Sequence, residues 1–118
     1  MDSPEVDIFD IKTSGGPAAE VGDVVTMLYI LALSREHLEN KEWIESTYQP
    51  DEPWQVVLDE EHLLPGVLRA TLGMRAGGSM RVARIPAEMA YGDRGTEEIP
   101  PGSDLWIEIR LGVVRKPT

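Results

Sequence analysis

Leu105-Trp106-Ile107-Glu108-Ile109-Arg110-Leu111-Gly112-Val113 puts an apolar side chain at every second position, with mostly polar or small residues between. Side chains of an extended strand alternate between its faces, so Leu105, Ile107, Ile109, Leu111 and Val113 form one apolar face and the segment reads as a half-buried strand. Outward from it, Val24 to Leu33 carries Val25, Met27, Tyr29 and Leu31 on one face, after the turn-forming pair Gly22-Asp23. Trp54 to Leu58 is a further short alternation following Pro53, a residue suited to the start of a strand but not its middle. Gly78 to Ile85 is extended as well, but Met80 and Val82 fall on one parity and Ile85 on the other, which predicts a β-bulge between them. Val6 to Lys12, with Val6, Ile8 and Ile11, makes a weaker strand closed by Thr13-Ser14-Gly15-Gly16-Pro17.

One segment repeats with a different period. Val67, Leu68, Thr71 and Leu72 recur at three and four, Pro65 suits a first helical turn, and Gly73 is a natural stop, so a helix of about two turns begins near Pro65. Residues Ser34 to Glu42 are polar and fit either a loop or a helical turn. Antiparallel-type strands around a single helix, without regular strand-helix alternation, define an α+β domain with a sheet wrapped on the helix.

The 118 residues suffice for one domain, expected to span 1–118 with loose ends at 1–4 and 116–118. The longest apolar stretch, Val24 to Leu33, is about ten residues, too short for a spanning helix of ~20, so no membrane partner is expected. Met1-Asp2-Ser3-Pro4-Glu5-Val6-Asp7 is acidic where an export signal is basic and then apolar, and the expected location is cytoplasmic. The absence of cysteine removes disulfides, thiol catalysis and Cys-based zinc sites. With 21 Asp and Glu against 11 Lys and Arg, the formal net charge is -10, the wrong sign for a phosphate backbone, and nucleic acid is not expected as a partner.

Residues for acid-base, nucleophilic or metal chemistry do not converge. The two histidines, His37 and His62, lie in separate segments and make no ligand pair. Gly77-Gly78 lacks the spacing of a phosphate loop, and the acids of Asp59-Glu60-Glu61 and Glu97-Glu98 are adjacent loop residues. No metal or cofactor is implied. What remains is a set of aromatic and aliphatic residues beside turns: Trp43, Trp54, Leu63-Leu64-Pro65-Gly66, Ala90-Tyr91-Gly92 and Ile99-Pro100-Pro101.

Taken together, Gly22-Asp23-Val24-Val25 with Tyr29, Leu63-Leu64-Pro65-Gly66, Gly73-Met74-Arg75-Ala76-Gly77, Ile85-Pro86-Ala87-Glu88-Met89-Ala90-Tyr91-Gly92 and Ile99-Pro100-Pro101-Gly102-Ser103-Asp104-Leu105 resemble the FKBP family of peptidyl-prolyl isomerases. The resemblance runs from about Val21 to Arg115. It implies a twisted antiparallel β-sheet wrapped around one short α-helix, with a ligand pocket between them. It also implies pocket roles for Tyr29, Trp43, Trp54, Leu63, Leu64, Val67, Tyr91, Ile99 and Ile107, with Leu64 N–H and the Tyr91 hydroxyl as donors to a bound peptide. Residues 92–99 would form a flap over that pocket. The expected partners are X-Pro segments of protein clients and, weakly, immunosuppressant macrolides, bound by a monomer.

The sequence departs from the family pattern in two pocket positions. An aspartate usually follows the aromatic at the place of Trp43, and here that residue is Ile44; Val67 stands where many members carry an aromatic floor. Two functions remain open on the sequence: an active isomerase, or a catalytically weak peptide-binding or chaperone module using the same surface.

Overall fold

The computed structural model describes residues 5–47 and 53–117. Six antiparallel strands form one sheet: β1 (Asp7–Lys12), β2 (Val24–Ala32), β3 (Glu45–Ser46), β4 (Trp54–Val57), β5 (Ser79–Ile85) and β6 (Leu105–Arg115), in the order β1-β5-β6-β2-β3, with β4 also paired to β2. A short helix α1 (Arg35–Glu39) follows β2, and the main helix α2 (Pro65–Thr71) precedes β5. Both β3 and β4 pair with β2, at Ile30–Leu31 and at Val24–Met27 respectively, while β6 pairs along Val24–Ala32. The alternation read from sequence sets the core: Leu105, Ile107, Ile109 and Leu111 of β6 and Val25 and Met27 of β2 are almost wholly buried. At Gly112 the β2–β6 register slips between Thr26 and Met27, and Val113 emerges exposed instead of extending the apolar face.

Seven residues are too few for α2 to hold itself together in water, so its stability comes from the face it buries. Gly66, Val67, Leu68, Ala70 and Thr71 are buried, Pro65 opens the helix where its missing N–H costs nothing, and Gly73 leaves it at φ 85°, a left-handed conformation suited to glycine. The Ser34–Glu42 segment forms α1, capped by the Ser34 hydroxyl, which accepts from His37 N–H at 3.0 Å.

The bulge expected between Val82 and Ile85 is absent, because β5 pairs with β6 in unbroken register from Ser79 to Ile85. The residue that resolves the conflicting parities is Arg81, which lies on the inner face with Ala83 and Ile85 and is only 8% exposed. Its guanidinium donates to the carbonyls of Ala70 and Leu72 at the end of α2, both at 2.9 Å, and to Asp10 Oδ1 at 2.7 Å. It thereby satisfies helix-end acceptors that burial removes from water. Arg81→Met, which keeps the stem but removes these donors, should lower stability by about 3 kcal/mol, and an unchanged urea midpoint would show that the carbonyls have another partner.

β1 is exposed along its length, including Ile8 and Ile11; Phe9 stacks on Trp106 at 6.0 Å between ring centroids on the outer face of the sheet. Of the ends read as loose, residues 1–4 and 118 lie outside the described residues, whereas the Lys116 ammonium donates to Ala18 O at 3.0 Å and to Asp23 Oδ2 at 2.7 Å. Buried Asp23 also accepts from Glu20 N–H at 2.9 Å. The hydrogen bond from Lys116, helped by that from Glu20, holds its carboxyl below the ordinary aspartate value against the opposing effect of burial. Asp23 in the unfolded chain takes up its proton near pH ~3.9, before the folded chain does, so its contribution is complete above that pH and is lost as pH falls through the lower folded value. Asp23→Asn should therefore flatten the acid limb of the stability-pH curve below pH ~4, and an acid limb as steep as the parent's would assign acid unfolding to other carboxylates.

Candidate functional site

Between the inner face of the sheet and α2 lies a cavity of about 190 Å³. β2 supplies Tyr29 and Leu31, β3 Glu45, β4 Trp54, β6 Leu105 and Ile107, and the approach to α2 with its first turn supplies His62, Leu63, Leu64 and Val67. Tyr91, beyond the 3-10 turn at Ala87–Met89, completes the lining. The Tyr29 and Trp54 rings meet at 5.4 Å between centroids, tilted by 58°. The lining is mostly apolar, and the volume is below the ~300–1,000 Å³ of drug-sized pockets, on the scale of a small ring with its flanking backbone.

Seven of the residues expected at a pocket, Tyr29, Trp54, Leu63, Leu64, Val67, Tyr91 and Ile107, converge on this cavity. Trp43, Ile44 and Ile99 do not line it. The Trp43 indole N–H is committed to Leu38 O at 3.0 Å. Ile99 is buried in the core at 3% exposure. Ile44 packs against the core while its N–H donates to Leu31 O at 2.7 Å. Residues 92–99 contribute no wall: Gly95 N–H bonds to Tyr91 O and Thr96 N–H to Ile99 O, folding the segment into turns of its own.

The displacement of Ile44 follows from strand parity. Leu31 pairs with Glu45 and Ile30 with Ser46, and paired residues share a face, so Glu45 stands on the side of Leu31 and Tyr29. The Tyr29 hydroxyl donates to Glu45 Oε1. The carboxylate that Ile44 was expected to remove is therefore supplied one residue later. Burial pushes the Tyr29 phenol well above its ordinary value, and the bond to Glu45 reinforces the shift, so the hydroxyl stays protonated at neutral pH.

Two donors at the wall have no intramolecular acceptor among the described residues: Leu64 N–H, just before α2, and the Tyr91 hydroxyl. His62 Nδ1 lies 2.7 Å from Asp59 Oδ1, and this bond is the main reason the Asp59 carboxyl titrates below its ordinary value. Asp59, Glu61 and His62 bring potential metal-ligand atoms within 4.8 Å of one another, but Asp59 already accepts from the backbone N–H of both Glu61 and His62. Sequence reading missed Leu31, Glu45, His62 and Leu105. Leu31 and Leu105 were legible as inner-face strand residues; Glu45 and His62 sit in segments without a period.

An antiparallel sheet closed over one short helix, with an aromatic-lined hollow between them and, among the described residues, unpaired donors at its wall, defines the class as an FKBP-like domain. The chain belongs to the FKBP-type peptidyl-prolyl cis-trans isomerase family, whose model matches residues 15–112. It is 34% identical over 104 residues to FK506-binding protein 4 of Emericella nidulans, covering 88% of this chain and 20% of that protein. It is 32% identical over 119 residues to an FK506-binding protein of Streptomyces anulatus, covering 89% of this chain and 91% of that protein. The crystal structure of AtFKBP13 superposes with a TM-score of 0.76 at 27% identity, covering 90% of both chains. The chain thus spans a fifth of the first of these relatives and nearly the whole of the other two.

Proposed function

We propose that this chain is a peptidyl-prolyl cis-trans isomerase that acts on X-Pro bonds of protein clients. The observation that carries the reading is the convergence of Tyr29, Trp54, Leu64, Val67, Tyr91 and Ile107 on one apolar cavity whose wall holds unused hydrogen-bond donors.

Rotation about a peptide bond is opposed by ~18–20 kcal/mol because twisting destroys amide resonance, while the cis and trans forms of X-Pro differ by only ~0.5–1 kcal/mol. Catalysis is therefore a matter of the barrier, and no acid, base or nucleophile is required. The planar amide is more dipolar than the twisted one, so apolar walls that strip water from it raise the ground state more than the transition state. Trp54, Val67 and Ile107 would hold the prolyl ring, and Leu64 N–H and the Tyr91 hydroxyl would fix the flanking carbonyls. The FK506 that names two of the relatives would compete for the same cavity, with affinity reduced by the missing aromatic at Val67. The protein would work as a monomer in the cytoplasm, assisting client folding, without nucleic acid or membrane as partner.

The test is isomerisation of short X-Pro peptides followed by NMR exchange or protease coupling. Acceleration that is inhibited by FK506 is expected. Absence of acceleration across a panel of X residues at micromolar protein would leave a peptide-binding module without the enzyme.

A further inference from the structure

Glu45 is an acid on the wall of a mostly apolar cavity, and holding the Tyr29 hydroxyl requires only a neutral acceptor. Its Oε1 takes the Tyr29 hydroxyl, while Oε2 has no donor among the described residues. Among the described lining residues there is no Lys or Arg, and the one basic side chain there, His62, is engaged by Asp59. Asp59, Glu60 and Glu61 lie in the turn that leads into Leu63 and Leu64, so the approach from that side is acidic too. With the prolyl ring against the deep walls formed by Val67 and Ile107, both fully or nearly buried, the residues flanking proline come to the mouth, where Glu45 is exposed. An exposed carboxylate there gains most from a client that brings a cation to it.

We propose that Glu45 is a specificity-determining residue and that the cavity selects clients carrying Lys or Arg directly beside the proline. The inference rests on the isomerase reading and adds to it the chemical class of client.

The experiment measures kcat/KM by NMR exchange for peptides with Lys, Leu or Glu immediately before or immediately after proline. At low salt, at one of the two flanks, Lys should exceed Leu by ~5-fold and Glu by ~10-fold or more. The preference should shrink toward parity in about 0.5 M NaCl, where screening shortens to a few ångströms. Glu45→Gln keeps an acceptor for Tyr29 but removes the charge, and the Lys-to-Leu ratio should fall to about 1; Glu45→Lys should favour the Glu peptide. Equal rates for Lys, Leu and Glu peptides at both flanks, in a protein that accelerates all of them, would overturn the inference and leave the isomerase reading intact. A Lys preference that survives both substitutions would also overturn it. Should a variant fail to fold, the parent decides: a Lys preference unaffected by salt contradicts a charge at the exposed mouth. Failure to accelerate any peptide removes the isomerase reading itself.

Discussion

Trp54→Ala will lower kcat/KM for X-Pro peptides by roughly 100-fold while leaving most of the chain's stability in place. Trp54 opens β4, pairs with Met27 of β2, and turns its ring toward Tyr29 at the cavity wall. Truncation removes the aromatic surface and opens that side to solvent, so the bound amide regains the water that the cavity is meant to exclude. The ring is only partly buried in the free protein, and its loss costs the fold much less than it costs the site. Trp54→Phe preserves an apolar wall and should lose only a few-fold, on the order of one neutral contact. Equal, small losses for both variants would show that the prolyl ring does not bind against this residue.

Gly66→Ala acts on the fold itself and should lower stability by about 3 kcal/mol, near the upper end for overpacked cores. A Cβ on Gly66 would collide with Ile85 Cγ2 of β5 and come within 3.0 Å of Met89 O. The backbone of Met89 cannot retreat cheaply, because its N–H is bonded to Pro86 O at 2.9 Å and the neighbouring Ala90 N–H to Ala87 O at 3.0 Å. For a domain of this size the loss corresponds to a fall in Tm of ~10–15 °C. Ile85→Ala, destabilising alone through the cavity it leaves, should cost less in the Gly66→Ala background than in the parent, because it removes the colliding atom. Strict additivity of the two changes would mean that helix and strand relax apart at no cost.

The extent to which fold and site could be read in advance tracks the range of the interactions that decide each residue. Leu105 to Leu111 and Val25 to Leu31 carried their orientation in a local two-residue period, and the structure follows it. Val113 broke the same period because Gly112 is extruded by pairing with β2, a partner more than eighty positions earlier in the chain. Arg81 was unreadable as an inner-face residue because what makes its burial tolerable, Asp10 and the carbonyls ending α2, is assembled only by the tertiary fold.

The same distinction runs through the site. Tyr29, Trp54 and Ile107 are strand residues whose face could be counted, and Leu64 and Val67 belong to a helix entrance marked by Pro65 and Gly66. Glu45 lies in a strand of two residues, too short to show a period, and its direction is fixed only by pairing with Leu31. The acid that Ile44 was read as removing is thus supplied by Glu45, with the Tyr29 hydroxyl as its partner. Trp43, beside the same turn, spends its indole N–H on Leu38 and is turned from the cavity. Proximity in sequence could not separate these neighbours.

The most direct test is a titration of a Leu-Pro peptide followed by amide and indole NMR shifts. Binding in the hollow between sheet and helix predicts that the largest changes gather at Leu64 N–H, the Trp54 indole and Tyr91. Changes centred instead on Phe9 and Trp106, across the sheet, would contradict it.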